Sequence, residues 1–111
     1  MGDKVFMFGK KKRSDSMSAA QIKALDKKEL LHVIMRDPET YKEIRLGGHG
    51  ALNIINGEIQ IVCEGVTVFA CPVSDVKAGE LMSHNGIVFK GNDRTSGEFR
   101  TVTAFYAVKL G

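Results

Sequence analysis

His49, Cys63, Cys71 and His84 together offer four side chains of the kinds that bind zinc. They stand 14, 8 and 13 residues apart, and none of these intervals is the short knuckle that pre-organises a structural site. No metal or other cofactor is expected, and the two cysteines read as small buried hydrophobic residues. Nucleophilic catalysis needs Ser, Cys or Thr beside a histidine that a carboxylate orients. His32 falls in an apolar run, His49 and His84 fall in glycine turns, and the chain has no Gly-x-Ser-x-Gly elbow. Glu58, Glu64 and Glu80 read as solvated strand-face or turn residues, so only the fold could pair their carboxylates for acid–base work. The expected protein is non-catalytic.

Three other segments offer binding chemistry. In Gly47-Gly48-His49-Gly50, consecutive glycines would let backbone amides approach a phosphate or carboxylate. A phosphate loop, however, lies between a strand and the helix whose N-terminus holds the anion, whereas here a helical pattern precedes and strand alternation follows. The segment reads as a helix-to-sheet hinge with glycines in unusual dihedrals, and Gly47, Gly48, His49 and Gly50 are retained as candidate ligand-loop residues. The longest polar insertion, residues 91–97, offers Asp93 and Arg94 as contacts held on a rigid scaffold. The cluster Lys10, Lys11, Lys12 and Arg13 suits the phosphates of a nucleic acid or an anionic membrane surface, with Phe6 and Phe8 just before it.

The elements that must position these residues belong to one domain, the default for 111 residues. A hydrophobic share of 43% with 26% charged residues is the composition of a folding chain. The net charge of +3 belongs to the start of the chain, since residues 14–111 carry 11 basic and 12 acidic side chains, a net of −1. The basic excess is therefore a property of an arm, not of a patch on the body. Residues 1–17 show no sustained period and read as that flexible basic arm, with Met7 a second candidate start; residues 18–111 form the domain. The run Val5-Phe6-Met7-Phe8 is too short for a secretory h-region, and no run reaches the length of a membrane helix. A cytoplasmic protein with reduced cysteines is expected.

Ser18 with Gln21, and Asp26 with Glu29, have capping-box spacing. The second box opens an expected helix over 27–36, with Leu30, Val33 and Ile34 on its apolar stripe and Pro38 ending it. From Gly47 onward, β-branched and aromatic runs are cut by Asn56-Gly57, Glu64-Gly65, Asn85-Gly86 and Ser96-Gly97. Strands are expected near 51–55, 58–63, 66–71, 79–82, 86–90 and 98–110. The last has apolar residues on both faces, so both are partly buried.

The fold class is therefore α+β: N-terminal helices followed by an antiparallel curled β-sheet or small β-barrel of about six strands. Pleckstrin-homology-like, OB-like and SH3-like shapes suit this pattern, although the first usually ends in a helix where this chain reads as strand. The expected function is a non-catalytic binding or assembly module, through a protein partner or a homo-oligomer. The alternative is a nucleic-acid-binding small barrel assisted by the basic arm, and a membrane surface is a third partner class.

Overall fold

A computed structural model describes residues 17–37 and 39–107. The capping box at Ser18 holds: its hydroxyl accepts from the Gln21 amide (3.1 Å), and its own amide donates to the Gln21 side chain (2.8 Å). It starts the one helix among the described residues, α1 (Ala19–Lys23), which presses Ile22 into the core at 1% exposure.

Eight strands follow: β1 (Glu29–Arg36), β2 (Glu43–Gly47), β3 (Gly50–Ile55), β4 (Glu58–Cys63), β5 (Val66–Pro72), β6 (Lys77–Glu80), β7 (Gly86–Asp93) and β8 (Glu98–Tyr106). They form one antiparallel sheet in the order β5-β4-β3-β1-β8-β7-β6, with β2 pairing on β1 beyond the β3 contact. The turns at Asn56-Gly57 and Glu64-Gly65 put both central residues at positive φ (53° and 75°; 53° and 83°). That is the primed geometry whose twist matches flanking strands, so the β3–β4–β5 meander is set locally.

The sheet is open but folds over itself. Arg94 donates its amide to the Ala70 carbonyl (2.7 Å), which brings the edge of β5 against the end of β7. Phe69 of β5 and Phe89 of β7 then meet across the core, ring centroids 6.4 Å apart. Between the two halves lie Leu30, Val33, Leu52, Ile59, Ile61, Val102 and Ala104, all fully buried. Ile34, expected on an apolar stripe, is only half-buried, as are Val68 and Tyr106.

The expected second helix over 27–36 is instead strand β1, at the middle of the sheet. Its misleading helical spacing has a structural cause. Leu30 lies opposite Tyr106, but His32, not Leu31, lies opposite Phe105, so Leu31 is an extra residue in a β-bulge. The bulge puts Leu30 and Val33 on one face at a separation of three, which imitates a helical stripe. Asp26 caps no helix: its carboxylate accepts from the Ile54 amide at 2.8 Å, tying the chain before β1 to β3. With only α1 present, the N-terminal-helices expectation is corrected to one short helix, and about six strands become eight. The Gly47–Gly50 segment is likewise no helix-to-sheet hinge but a break between β2 and β3, and none of its glycines has positive φ. What Gly50 provides is room, because a Cβ there would strike the Val62 carbonyl oxygen on β4.

Candidate functional site

Strand alternation sends one set of side chains from β1, β8 and β7 into the core and the other set to the opposite face of the sheet. On that outer face the register places side chains in rows across the strands. One row holds Ile34, Thr103 and Val88; the next holds Thr101, Lys90 and Lys77, with Arg36 one residue beyond the Met35–Val102 pair. A third holds His32 stacked on Phe105, ring centroids 4.6 Å apart. Two hairpins stand over this surface. The β1–β2 connection presents Tyr41, 71% exposed, and the β6–β7 connection presents Leu81.

Between the hairpins lies a groove of about 630 Å³. Its floor is apolar at Ile34, Val88, Leu81 and Phe105 and hydroxyl-bearing at Thr101 and Thr103, while Arg36, Glu43, Lys90 and Tyr41 line its margin. Arg36 and Glu43 form an ion pair at 3.5 Å with both side chains more than half exposed, so water screens it and the pair stays open to exchange for another partner. The volume lies within the range of small-molecule and peptide sites. Its chemistry is that of recognition: apolar contact, hydroxyl hydrogen bonds and charges of both signs.

The β1–β2 hairpin that carries Tyr41 is itself braced. The Asp37 carboxylate accepts from the amides of Glu39 (2.8 Å) and Thr40 (3.2 Å), and the Asp37 amide donates to the Lys42 carbonyl (2.9 Å). Such an Asx turn holds a loop without help from a core.

Comparison with known proteins gives no assignment. No family model, no curated protein and no solved structure matches the chain. The geometry alone therefore carries the functional reading.

The residues picked from sequence fall elsewhere. Asp93 and Arg94 sit at the β7–β8 turn and make contacts within the chain. Asp93 is 1% exposed; its carboxylate accepts from the amides of Ala70 and Thr95 (both 3.0 Å), from the Thr95 hydroxyl (2.8 Å) and from Arg100 (3.3 Å). Burial pushes its pKa up, but the hydrogen bonds from Thr95 and Ala70 more than offset this and hold it below the usual aspartate value. Arg94 grips Glu58 with two bonds of 2.8 and 2.9 Å, and this contact draws the Glu58 carboxyl below its usual range. Together they form a clasp that closes the folded sheet.

Gly47, Gly48, His49 and Gly50 lie at the other end of β4, where the His49 carbonyl accepts from Glu64 (3.0 Å) and the His49 side chain is exposed. From Glu58 to Cys63 the strand runs roughly 17 Å, so the two candidate groups do not form one site. Lys10, Lys11, Lys12 and Arg13 lie outside the described residues. Cys63 and Cys71 are free, and burial pushes both thiols up, away from the reactive thiolate. His84 lies 3.6 Å from Glu80 at the β6–β7 turn, and no group of three or more His, Cys, Asp and Glu able to hold a metal occurs among the described residues.

Sequence reasoning misses the groove because the bulge at Leu31 gives Ile34 and Arg36 the spacing of a helix, which leaves the groove without one wall. A usable signal remained in β8, where Thr101, Thr103 and Phe105 form the second face of a strand whose first face is core.

Proposed function

We propose that this protein is a non-catalytic binding module that holds an extended segment of a partner protein in the groove between Tyr41 and Leu81. The observation that carries the reading is an open, partly apolar groove on a sheet face whose opposite side is the packed core. Half-buried Ile34 and Phe105 keep apolar surface in contact with water on this face, which is unfavourable, and a partner that covers them removes that contact. Hydroxyls of Thr101 and Thr103 at the floor supply orienting hydrogen bonds, and Tyr41 supplies a rigid amphipathic contact at the margin.

Selection from a random short-peptide display library tests this. Peptides enriched on the wild-type chain should lose binding to Thr103→Tyr, which fills the groove without altering charge. Enriched peptides that bind this variant as well as wild type would overturn the reading. A cytoplasmic setting accords with two free, buried thiols. The assembly form of the reading, a homo-oligomer, draws support from the Val66 end of β5, exposed and beyond the contacts that close the strand at Ala70, and light scattering reads it as a mass well above 12.2 kDa. The nucleic-acid alternative draws its support from Lys10–Arg13 alone, and filter binding with and without those residues discriminates it.

A further inference from the structure

Strand β2 has a free edge whose own sequence selects what pairs with it. The inference rests on the homo-oligomer form of the reading above and, of the sheet's exposed edges, gives this one the contact. Among the described residues β1 is the only strand partner of β2. The Asp37 amide bonds to the Lys42 carbonyl, so by antiparallel alternation Ile44 turns its backbone groups toward β1 while Glu43 and Arg45 turn theirs outward. Those outward groups have no partner among the described residues, and Glu43, Ile44 and Arg45 are all exposed. A second copy bonds to this edge when its own outward-facing residues meet them, which a two-fold axis at any one residue of the strand achieves. An axis at Glu43 sets Glu43 against its own copy, an axis at Arg45 does the same with Arg45, and both put like charges in direct opposition. An axis at Leu46 carries the partner strand onto the β4–β5 turn, where Glu64 comes beside Gly48. An axis at Ile44 instead sets each Glu43 opposite the other copy's Arg45 and brings together the two Ile44 side chains, each 41% exposed in a single chain. Arg45 makes no ion pair among the described residues, and Glu43 makes only the screened contact with Arg36. We propose that two copies of this chain join β2 to β2, antiparallel, about a two-fold axis at Ile44, so that one sheet runs through both. Such an axis is perpendicular to the sheet, and the outer faces of the two copies point the same way.

Sedimentation and light scattering of the full chain over a concentration series test this, once circular dichroism melts establish that each variant folds. The wild-type mass should rise from 12.2 kDa toward twice that value as concentration approaches about 1 mM. Glu43→Arg alone and Arg45→Glu alone each oppose like charges at both cross-copy pairs, so each should weaken self-association about tenfold or more. An equimolar mixture of these two variants should associate as a mixed dimer, and the double swap Glu43→Arg/Arg45→Glu should associate by itself. Ile44→Asp serves if a charge reversal does not fold, and it too should weaken the dimer. A wild-type chain that stays at 12.2 kDa throughout would overturn both this inference and the homo-oligomer reading. Self-association that ignores the single variants, or a mixture that fails to associate, would overturn this interface and leave the homo-oligomer reading to another surface.

Discussion

Replacing Asp93 by Ala should be among the most damaging single substitutions in the polar set. The carboxylate is 1% exposed and satisfies the Ala70 amide at the edge of β5, the Thr95 amide and hydroxyl, and Arg100. Ala leaves a buried amide without an acceptor, worth about 1–3 kcal/mol, and removes the partner of a cation whose side chain is only 23% exposed. Breaking a buried ion pair costs about 3–5 kcal/mol, and water reaching Arg100 holds the total near the lower part of that range. Urea unfolding followed by circular dichroism should show the midpoint falling by about 1–3 M with the slope unchanged. Asp93→Asn keeps an acceptor and loses the charge, so its loss should be smaller. Because the folded pKa of Asp93 is depressed, its contribution is present above the unfolded value and lost as pH falls through the folded one. The gap between wild type and Asp93→Asn should therefore be full near neutrality and shrink below about pH 4. A loss under about 1 kcal/mol for Asp93→Ala, with unchanged exchange protection at the Ala70 amide, would refute the clasp.

Ile61→Ala, at a fully buried position of β4, should cost about 2–5 kcal/mol by the same denaturation. Leu31→Ala, at the 52% exposed bulge, should cost far less than Leu30→Ala one residue earlier; equal losses would contradict the bulged strand. Gly50→Ala should prevent normal β3–β4 pairing, whereas Gly57→Ala, with open space but a φ of 75°, should cost only about 1 kcal/mol. Burial pushes Tyr106 up to about 12, so its neutral form stabilises the fold below the unfolded tyrosine value, and that stability drains away between about pH 10 and 12. Ultraviolet titration should resolve this late phenol, and Tyr106→Phe should remove the alkaline loss it causes.

The C-terminal sheet was legible because its signals are local. Alternation of Ile59, Ile61 and Cys63 marks one face of β4, and Asn56-Gly57 and Glu64-Gly65 form the turns their sequence favours. The first two strands were hidden for different reasons. In β1 the bulge at Leu31 converts a period of two into a separation of three, and Asp26 offers a cap that its carboxylate spends instead on Ile54, 28 residues away. β2, Glu-Ile-Arg-Leu-Gly, alternates polar and apolar over only four residues, and its burial does not follow that alternation because Ile44 is exposed like Glu43 and Arg45, so its pairing with β1 is what defines it. At the clasp, away from the groove, Asp93 and Arg94 were visible as polar loop residues, but their partners Ala70 and Glu58 lie 23 and 36 residues away, a relation no local pattern contains. The groove needs β1 as a strand before its rows exist.

Amide chemical-shift mapping of a library-selected peptide onto the isotopically labelled chain tests the central claim most directly. The groove account predicts that shifts concentrate at Ile34, Val88, Thr101 and Thr103 and at the hairpins bearing Tyr41 and Leu81. Shifts concentrated instead around His49 and Glu64, or along the β5 edge at Val66, would contradict it.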